Sequence, residues 1–292
     1  MDDPTWLRRA LAVEPDQAWV DVDGCRISVA LWGNPGAPGL VLVHGGAAHN
    51  RWWSHVAPML PGYRIAALDL SGHGDSDRRD EYSLDRWTDE VMAAAALVGD
   101  AGPPVVIGHS MGGFVSTATA VAAGDRLTGI IVLDSPMVSD DPEVEAARIG
   151  HAFGGSPRVY ATLDEARARF RTVPGQAHYD PVVFDHVARH SLAEVDGGWT
   201  WRFDRRIFAA VSRSAAAELL PHVSCRVALL RAEHGLVTPE IGSIMYERLG
   251  RVAPVVEIPE AGHHLMLDQP MLLIVALRAL LADWEHSIPV RR

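Results

Sequence analysis

Gly108-His109-Ser110-Met111-Gly112 stands directly behind the apolar run Val105-Val106-Ile107 and opens a stretch of small residues reaching Gly124. Strand, sharp turn and helix is a context in which a serine hydroxyl becomes a nucleophile. The turn holds the hydroxyl at a strand tip, flanking glycines let strand and helix close, and the helix N-terminus faces the negative charge that develops in acyl transfer. A serine nucleophile also needs a base, a group to orient that base, and donors for the oxyanion. His263, in Glu260-Ala261-Gly262-His263-His264 after the last apolar run, is placed to hang its imidazole over Ser110, with His264 as the fallback. Leu42-Val43-His44-Gly45-Gly46 ends another apolar run in a glycine loop. From there the backbone N–H of Gly46 can pair with that of Met111 as an oxyanion hole.

Elements that could hold these groups follow from the hydrophobic pattern. Short β-rich runs at Ile27 to Leu31, Leu40 to Val43, Ile65 to Leu68, Val105 to Ile107, Ile130 to Leu133, Val227 to Leu230 and Val255 to Ile258 read as strands. Several are continuously apolar, as central strands covered on both faces are, and helical segments fall between most of them. Helices are expected over Leu84 to Val98, Gly112 to Ala123, Pro239 to Leu249 and Gln269 to Trp284. About 90 residues between Leu133 and Val227 have another texture, with few strand signals. Helix starts are read at Thr162 to Phe170 and Asp180-Pro181 to Ser191, and a further helix over Ile207 to Leu220. The expected architecture is α/β: a mainly parallel twisted sheet flanked by helices, its core formed by residues 1–136 and 220–292. Residues 137–219 form a helical lid over the carboxyl edge of the sheet, where open α/β folds bind ligands.

Composition narrows the function. A chain of 292 residues, 48% hydrophobic, can bury one large core. The start Met1-Asp2-Asp3-Pro4 lacks a signal-peptide pattern and the longest apolar run, Met271 to Leu277, is too short to span a bilayer, so a cytoplasmic protein is expected. A net charge of −11 with scattered arginines argues against nucleic acid and anionic membrane, and for a small uncharged or weakly polar substrate. Cys25 and Cys225 lie far apart with no metal-type spacing, and no metal or cofactor is expected. Oligomeric state is not legible.

His44-Gly45-Gly46, Asp69-Leu70-Ser71-Gly72-His73-Gly74-Asp75-Ser76, Gly108 to Gly113 and Gly262-His263, in that order and over nearly the whole chain, resemble the α/β-hydrolase superfamily. The resemblance implies that Asp69, His73 and Asp75 build a turn, and that His109 supports the elbow by packing or hydrogen bonding. It also exposes a departure. The usual acid follows the strand Val227 to Leu230, and here the corresponding position is Gly235. Members resembling haloalkane dehalogenases carry the acid one strand earlier, where this sequence has Asp134, so Asp134 is the expected partner of His263 and Glu233 its competitor. A serine rather than an aspartate at the elbow argues against the alkyl-ester chemistry of dehalogenases and epoxide hydrolases. The expected activity is therefore hydrolysis of a carboxylic ester or lactone. C–C bond hydrolysis and perhydrolysis are alternatives on the same parts, and a ligand receptor with little turnover is the alternative outside catalysis. Trp52 and Trp53 after the oxyanion loop, with Phe153, Tyr160, Phe170, Trp199, Trp201 and Phe203 in the insertion, favour an apolar or aromatic substrate. Trp52, Trp53, Phe170 and Trp199 are the expected pocket residues.

Overall fold

Continuously apolar runs become interior strands because helices cover both faces of the sheet. In the computed structural model, residues 5–138, 158–210 and 213–287 are described. A short helix α1 (Thr5–Leu11) leads into β1 (Asp16–Val22), β2 (Cys25–Trp32), β3 (Gly39–Val43) and β4 (Arg64–Leu68). Then come α2 (Leu84–Ala96), β5 (Val105–His109), α3 (Met111–Ala123) and β6 (Gly129–Leu133). After β6 the chain enters the insertion, with α4 (Leu163–Ala168), α5 (Pro181–His190), β7 (Leu192–Val195), β8 (Gly198–Trp201) and α6 (Arg213–Leu219). It returns through β9 (Arg226–His234), α7 (Pro239–Arg248), β10 (Val255–Gly262), the single turn α8 (Leu265–Asp268) and α9 (Pro270–His286).

The large sheet has the order β1-β2-β4-β3-β5-β6-β9-β10, antiparallel from β1 to β4 and parallel from there on. Alternate residues feed two cores: Leu40, Leu42, Ile107 and Leu133 point to one, Val41, Val43, Val106 and Val132 to the other. Burying such a side chain contributes about 1.5–3 kcal/mol, so a register slip in any central strand would exchange both faces at once. The carboxyl ends of β3, β5, β6, β9 and β10 lie along one edge, and every candidate site residue of the core follows one of them.

Two expectations need correction. The strand β1 is absent from the sequence reading, because an edge strand that is half exposed alternates weakly; its signal is the Asp23-Gly24 pair, with φ of 51° and 74°, that turns it into β2 as a tight hairpin. The insertion is not wholly helical. β7 and β8 pair antiparallel in a two-stranded sheet of their own, and the segment expected as one helix from Ile207 is a 3₁₀ stretch, Arg205–Ala210, before α6. The two helix starts hold: Thr162 accepts from the Glu165 N–H at 3.2 Å, and Asp180 accepts from Val182 and Val183. Among the described residues no helix is long and apolar enough to cross a membrane.

Candidate active site

Ser110 joins β5 to α3 with φ 54° and ψ −118°, a conformation that costs a non-glycine residue about 1–3 kcal/mol and persists only where its surroundings impose it. They do so from both sides. The Ser110 N–H donates to Leu133 O at 3.0 Å, tying the elbow to β6, and Gly113 N–H donates to Ser110 O at 2.9 Å. A Cβ on Gly108 would stand 2.2 Å from Gly112 O, and one on Gly112 would stand 2.4 Å from Val43 O. Only glycine lets the turn close this tightly.

Ser110 Oγ lies 3.0 Å from His263 Nε2, and His263 Nδ1 lies 2.7 Å from Asp134 Oδ2. An ionised carboxylate only accepts, so Nδ1 carries the imidazole proton and Nε2 is left to accept from the serine hydroxyl. Asp134 is fully buried at the end of β6, with φ 41°. Its carboxylate also accepts from the N–H groups of Ala232 at 3.1 Å, Leu236 at 2.7 Å and Val237 at 3.2 Å. Burial pushes its carboxyl up, but the hydrogen bond and charge of His263, with the Leu236 and Ala232 amides, outweigh it and hold the group below the usual carboxylate range. Glu233 points elsewhere: it is exposed and accepts from the Glu260 N–H at 2.8 Å. Gly235 has a physical reason to be glycine, since a Cβ there would come within 2.3 Å of Asp134 Oδ2.

His109 lies against His263, ring centroids 4.8 Å apart, and its Nε2–H donates to the His263 carbonyl at 2.9 Å. Burial, then the neighbouring His263 charge, lowers His109 to about 3, so it stays neutral and acts as a strut. On the other side His264 N–H donates to Gln176 Oε1 at 2.9 Å, which fastens the histidine loop to the insertion. His109, His263 and His264 bring ring nitrogens within 4.8 Å of one another, a spacing that could hold a metal ion, as do the exposed Glu233, His234 and Glu260.

His44 fixes the loop at Gly45-Gly46. Its Nε2 accepts from the Leu70 N–H at 3.1 Å, so Nδ1 carries the proton and donates to Gly45 O at 2.7 Å. Because N–H and C=O of a trans peptide point in opposite directions, pinning Gly45 O aims the Gly46 N–H away from His44. Among the described residues no turn or loop carbonyl accepts from the Gly46 or Met111 N–H. Phe208 covers Gly46 so closely that a Cβ would meet its ring at 2.9 Å.

A cavity of about 210 Å³ opens here, lined by Gly46, Trp52, Tyr160, Phe170, Trp201, Phe203 and His264 among others. Trp52 and Phe170 are thus at the cavity, whereas Trp53 and Trp199 do not line it. Trp53 is fully buried in the core, and Trp199 packs in a small cluster with Tyr160, Ala166 and Leu192. Trp201, two residues along the same face of β8, reaches the cavity instead. Phe153 lies outside the described residues. The residues that sequence reading did not single out, Phe208 and Gln176, carry no local motif; both come from the insertion, whose path over the sheet no spacing reveals. Asp69 and its neighbours build the turn that holds this insertion: Asp69 accepts from Asn50 and Asp75 N–H, Gly74 N–H donates to Arg202 O at 2.8 Å, and Arg202 pairs with Asp75.

Known proteins are similar to this chain in sequence and in fold. The sequence profile described as "Alpha/beta hydrolase family" matches residues 40–277. Lipase LipV of Mycobacterium tuberculosis is 30% identical over 264 residues, covering 87% of this chain and 97% of that protein. The esterase Rv0045c of the same organism is 26% identical in sequence, over 87% of this chain and 86% of its own. A solved structure of that esterase superposes with a TM-score of 0.77 at 25% identity, covering 95% of this chain and 96% of the other. E-2-(acetamidomethylene)succinate hydrolase shares the fold with a TM-score of 0.79 at 20% identity, over 92% and 99% of the two chains. With the profile matched across most of its length, the chain belongs to the alpha/beta hydrolase family.

Proposed function

We propose that this protein hydrolyses carboxylic esters, lactones included, through a serine acyl-enzyme. The observation that carries the reading is the continuous chain of contacts from Ser110 Oγ to His263 at 3.0 Å and from His263 to Asp134 at 2.7 Å. In this mechanism the Ser110 proton passes to His263 Nε2 as Oγ bonds to the ester carbonyl carbon, and the resulting oxyanion accepts from the Gly46 and Met111 N–H groups. Asp134 keeps the imidazole in the required tautomer and balances the imidazolium. Collapse breaks the ester C–O bond, and the leaving alkoxide takes the proton from Nε2. Water then attacks the acyl carbon, gives its proton to Nε2, and the free acid departs as the proton returns to Ser110. Nothing beyond water is consumed.

Residues 137–219 serve in this reading as a lid that shapes the pocket; of these, 139–157 and 211–212 lie outside the described residues. Contacts of Gln176 with His264 and of Phe208 with Gly46 support the assignment. The names of the lipase and esterase relatives favour an ester over a C–C bond. With Asp134 against His263 at 2.7 Å, the receptor reading has no observation of its own. A fluorophosphonate probe followed by peptide mass mapping should label Ser110, and Ser110→Ala should abolish cleavage of nitrophenyl esters and lactones. Label on another residue, or undiminished turnover by Ser110→Ala, would sink the proposal.

A further inference from the structure

We infer that the ester this site takes carries an anionic group, a carboxylate, on the arm that lies in the cavity; the inference rests on the ester-hydrolase reading. The cavity lined by Gly46 and His264 is lined also by Arg169, Arg171 and Arg205, and among the described residues no aspartate or glutamate lines it. In a chain of net charge −11 such a cluster runs against the overall composition, which by itself argues for an uncharged substrate. Its depth profile fits an arm with two chemistries. Trp52 and Phe170 are nearly fully buried, while Arg169 and Arg171 are exposed at the rim. An apolar spacer would thus cross the aromatic part and set an anion among guanidinium groups. Arg171 is held by donating to Phe170 O at 2.6 Å and Ala168 O at 3.2 Å, both backbone carbonyls, which leaves its charge without a carboxylate partner among the described residues. Arg169 likewise has none there, the neighbouring ion pairs to Asp164 and Asp185 being those of Arg167. Guanidinium is weakly hydrated and matches a carboxylate with paired N–H donors. A cavity of about 210 Å³ is far larger than one water needs and has room for the chain of a short dicarboxylic acid.

The test compares mono-4-nitrophenyl adipate with methyl 4-nitrophenyl adipate, which differ only in the charge at the far end. The wild-type protein should show kcat/KM about tenfold higher for the anionic ester, falling as NaCl rises because exposed charges are screened. Arg169→Gln with Arg171→Gln should bring the ratio to within about threefold of unity by slowing the anionic ester, and Arg169→Lys with Arg171→Lys should keep most of the preference, as charge rather than shape is retained. A wild-type ratio at or below one, or a ratio untouched by the double glutamine variant, overturns the inference while leaving the ester reading in place. To separate the two, Ser110→Ala is titrated by calorimetry with monomethyl adipate and dimethyl adipate. Selective binding of the monoanion, lost with the two arginines, upholds the anion site even if neither nitrophenyl ester is cleaved, a result that would sink the ester reading alone.

Discussion

Gly235 and Asp134 compete for one volume, and that competition explains why only glycine fits at 235 when Asp134, the proposed acid, is present. Side chains at both positions cannot coexist, because a Cβ at 235 would fall 2.3 Å from one Asp134 oxygen and 2.5 Å from the other. The two places from which the family can supply its acid therefore converge on the same neighbourhood beside His263. Replacing Asp134 by Asn keeps the shape but offers His263 an amide in place of a carboxylate; kcat should fall by about 10³–10⁴-fold with circular dichroism unchanged. Glu233→Gln, remote from the imidazole and bonded to Glu260 N–H, should change kcat by less than about tenfold. If the two substitutions exchange these effects, the assignment of the acid is wrong. Moving the acid should also work, provided the space is cleared first. Gly235→Asp on Asp134→Ala should recover at least about tenfold of the rate lost in Asp134→Ala, whereas Gly235→Asp on Asp134→Asn should recover none and fold poorly, because the Asn side chain still fills the volume. Equal recovery on both backgrounds would refute the steric argument.

At the scale of elements, the site consists of loops at strand ends whose backbone is fixed by buried histidines. His44 pins the Gly45 carbonyl and thereby aims the Gly46 amide, while His109 pins the His263 carbonyl. His44 is held neutral, well below the ordinary imidazole value, by burial and then by the neighbouring His73 charge, so its single ring proton stays on Nδ1. His44→Leu removes that donor. Its expected result is a fall in kcat of up to about 10²-fold with KM changed by less than about threefold, because the oxyanion donors act in the transition state rather than on bound substrate. A rise in KM with kcat intact would instead make His44 a binding residue. How much of this was legible follows the same division. Elbow, histidine loop and central strands were readable because each is local: a glycine pair around a serine, an apolar run before a turn. Asp134 became readable only through the vacancy at Gly235. The hairpin β7–β8 was not readable, since Trp199 and Trp201 serve helix or strand equally in a segment that short. Nor could spacing tell that Trp201 reaches the cavity and Trp199 stops short of it, because both lie on one face and only the packing of Tyr160 and Phe170 separates them.

Across the whole molecule, histidines dominate the response to acid. Burial lowers His44, His49, His55, His73, His109, His186, His190 and His264, with His55 and His73 brought to about 4 and His186 to about 3. In the unfolded chain each titrates near 6.5. A histidine whose folded value is depressed contributes full stability above the unfolded value, and that stability is lost as pH falls below it toward the folded value. By pH 5 each fully depressed histidine therefore costs about 2 kcal/mol. Carboxyls raised by burial act in the opposite sense: Asp69 goes to about 7, Asp268 to about 6 and Glu90 above its ordinary value, so all three favour the folded state as pH falls. Eight lowered histidines oppose three raised acids, and the net effect is acid destabilisation between pH 7 and pH 5. Asp134, depressed in the folded state, adds its own loss only below about pH 4. The histidines nearest the insertion gather at one seam. His49 meets Ser191 Oγ at 3.0 Å, and the His186 and His190 rings lie tilted with centroids 4.4 Å apart in the field of Arg51 and Arg202. Opening that seam, where α5 meets the core, frees its histidines to take up protons, so hydrogen exchange at pH 5 should accelerate over residues 181–202 before the central strands. Urea unfolding should show stability lower by several kcal/mol at pH 5 than at pH 7, and His55→Gln, which can still donate to Met266 O, should reduce the proton uptake on unfolding by about one. Stability that is flat or rises from pH 7 to pH 5 would mean that the buried acids outweigh the histidines and that the seam is not the acid-labile part of the fold.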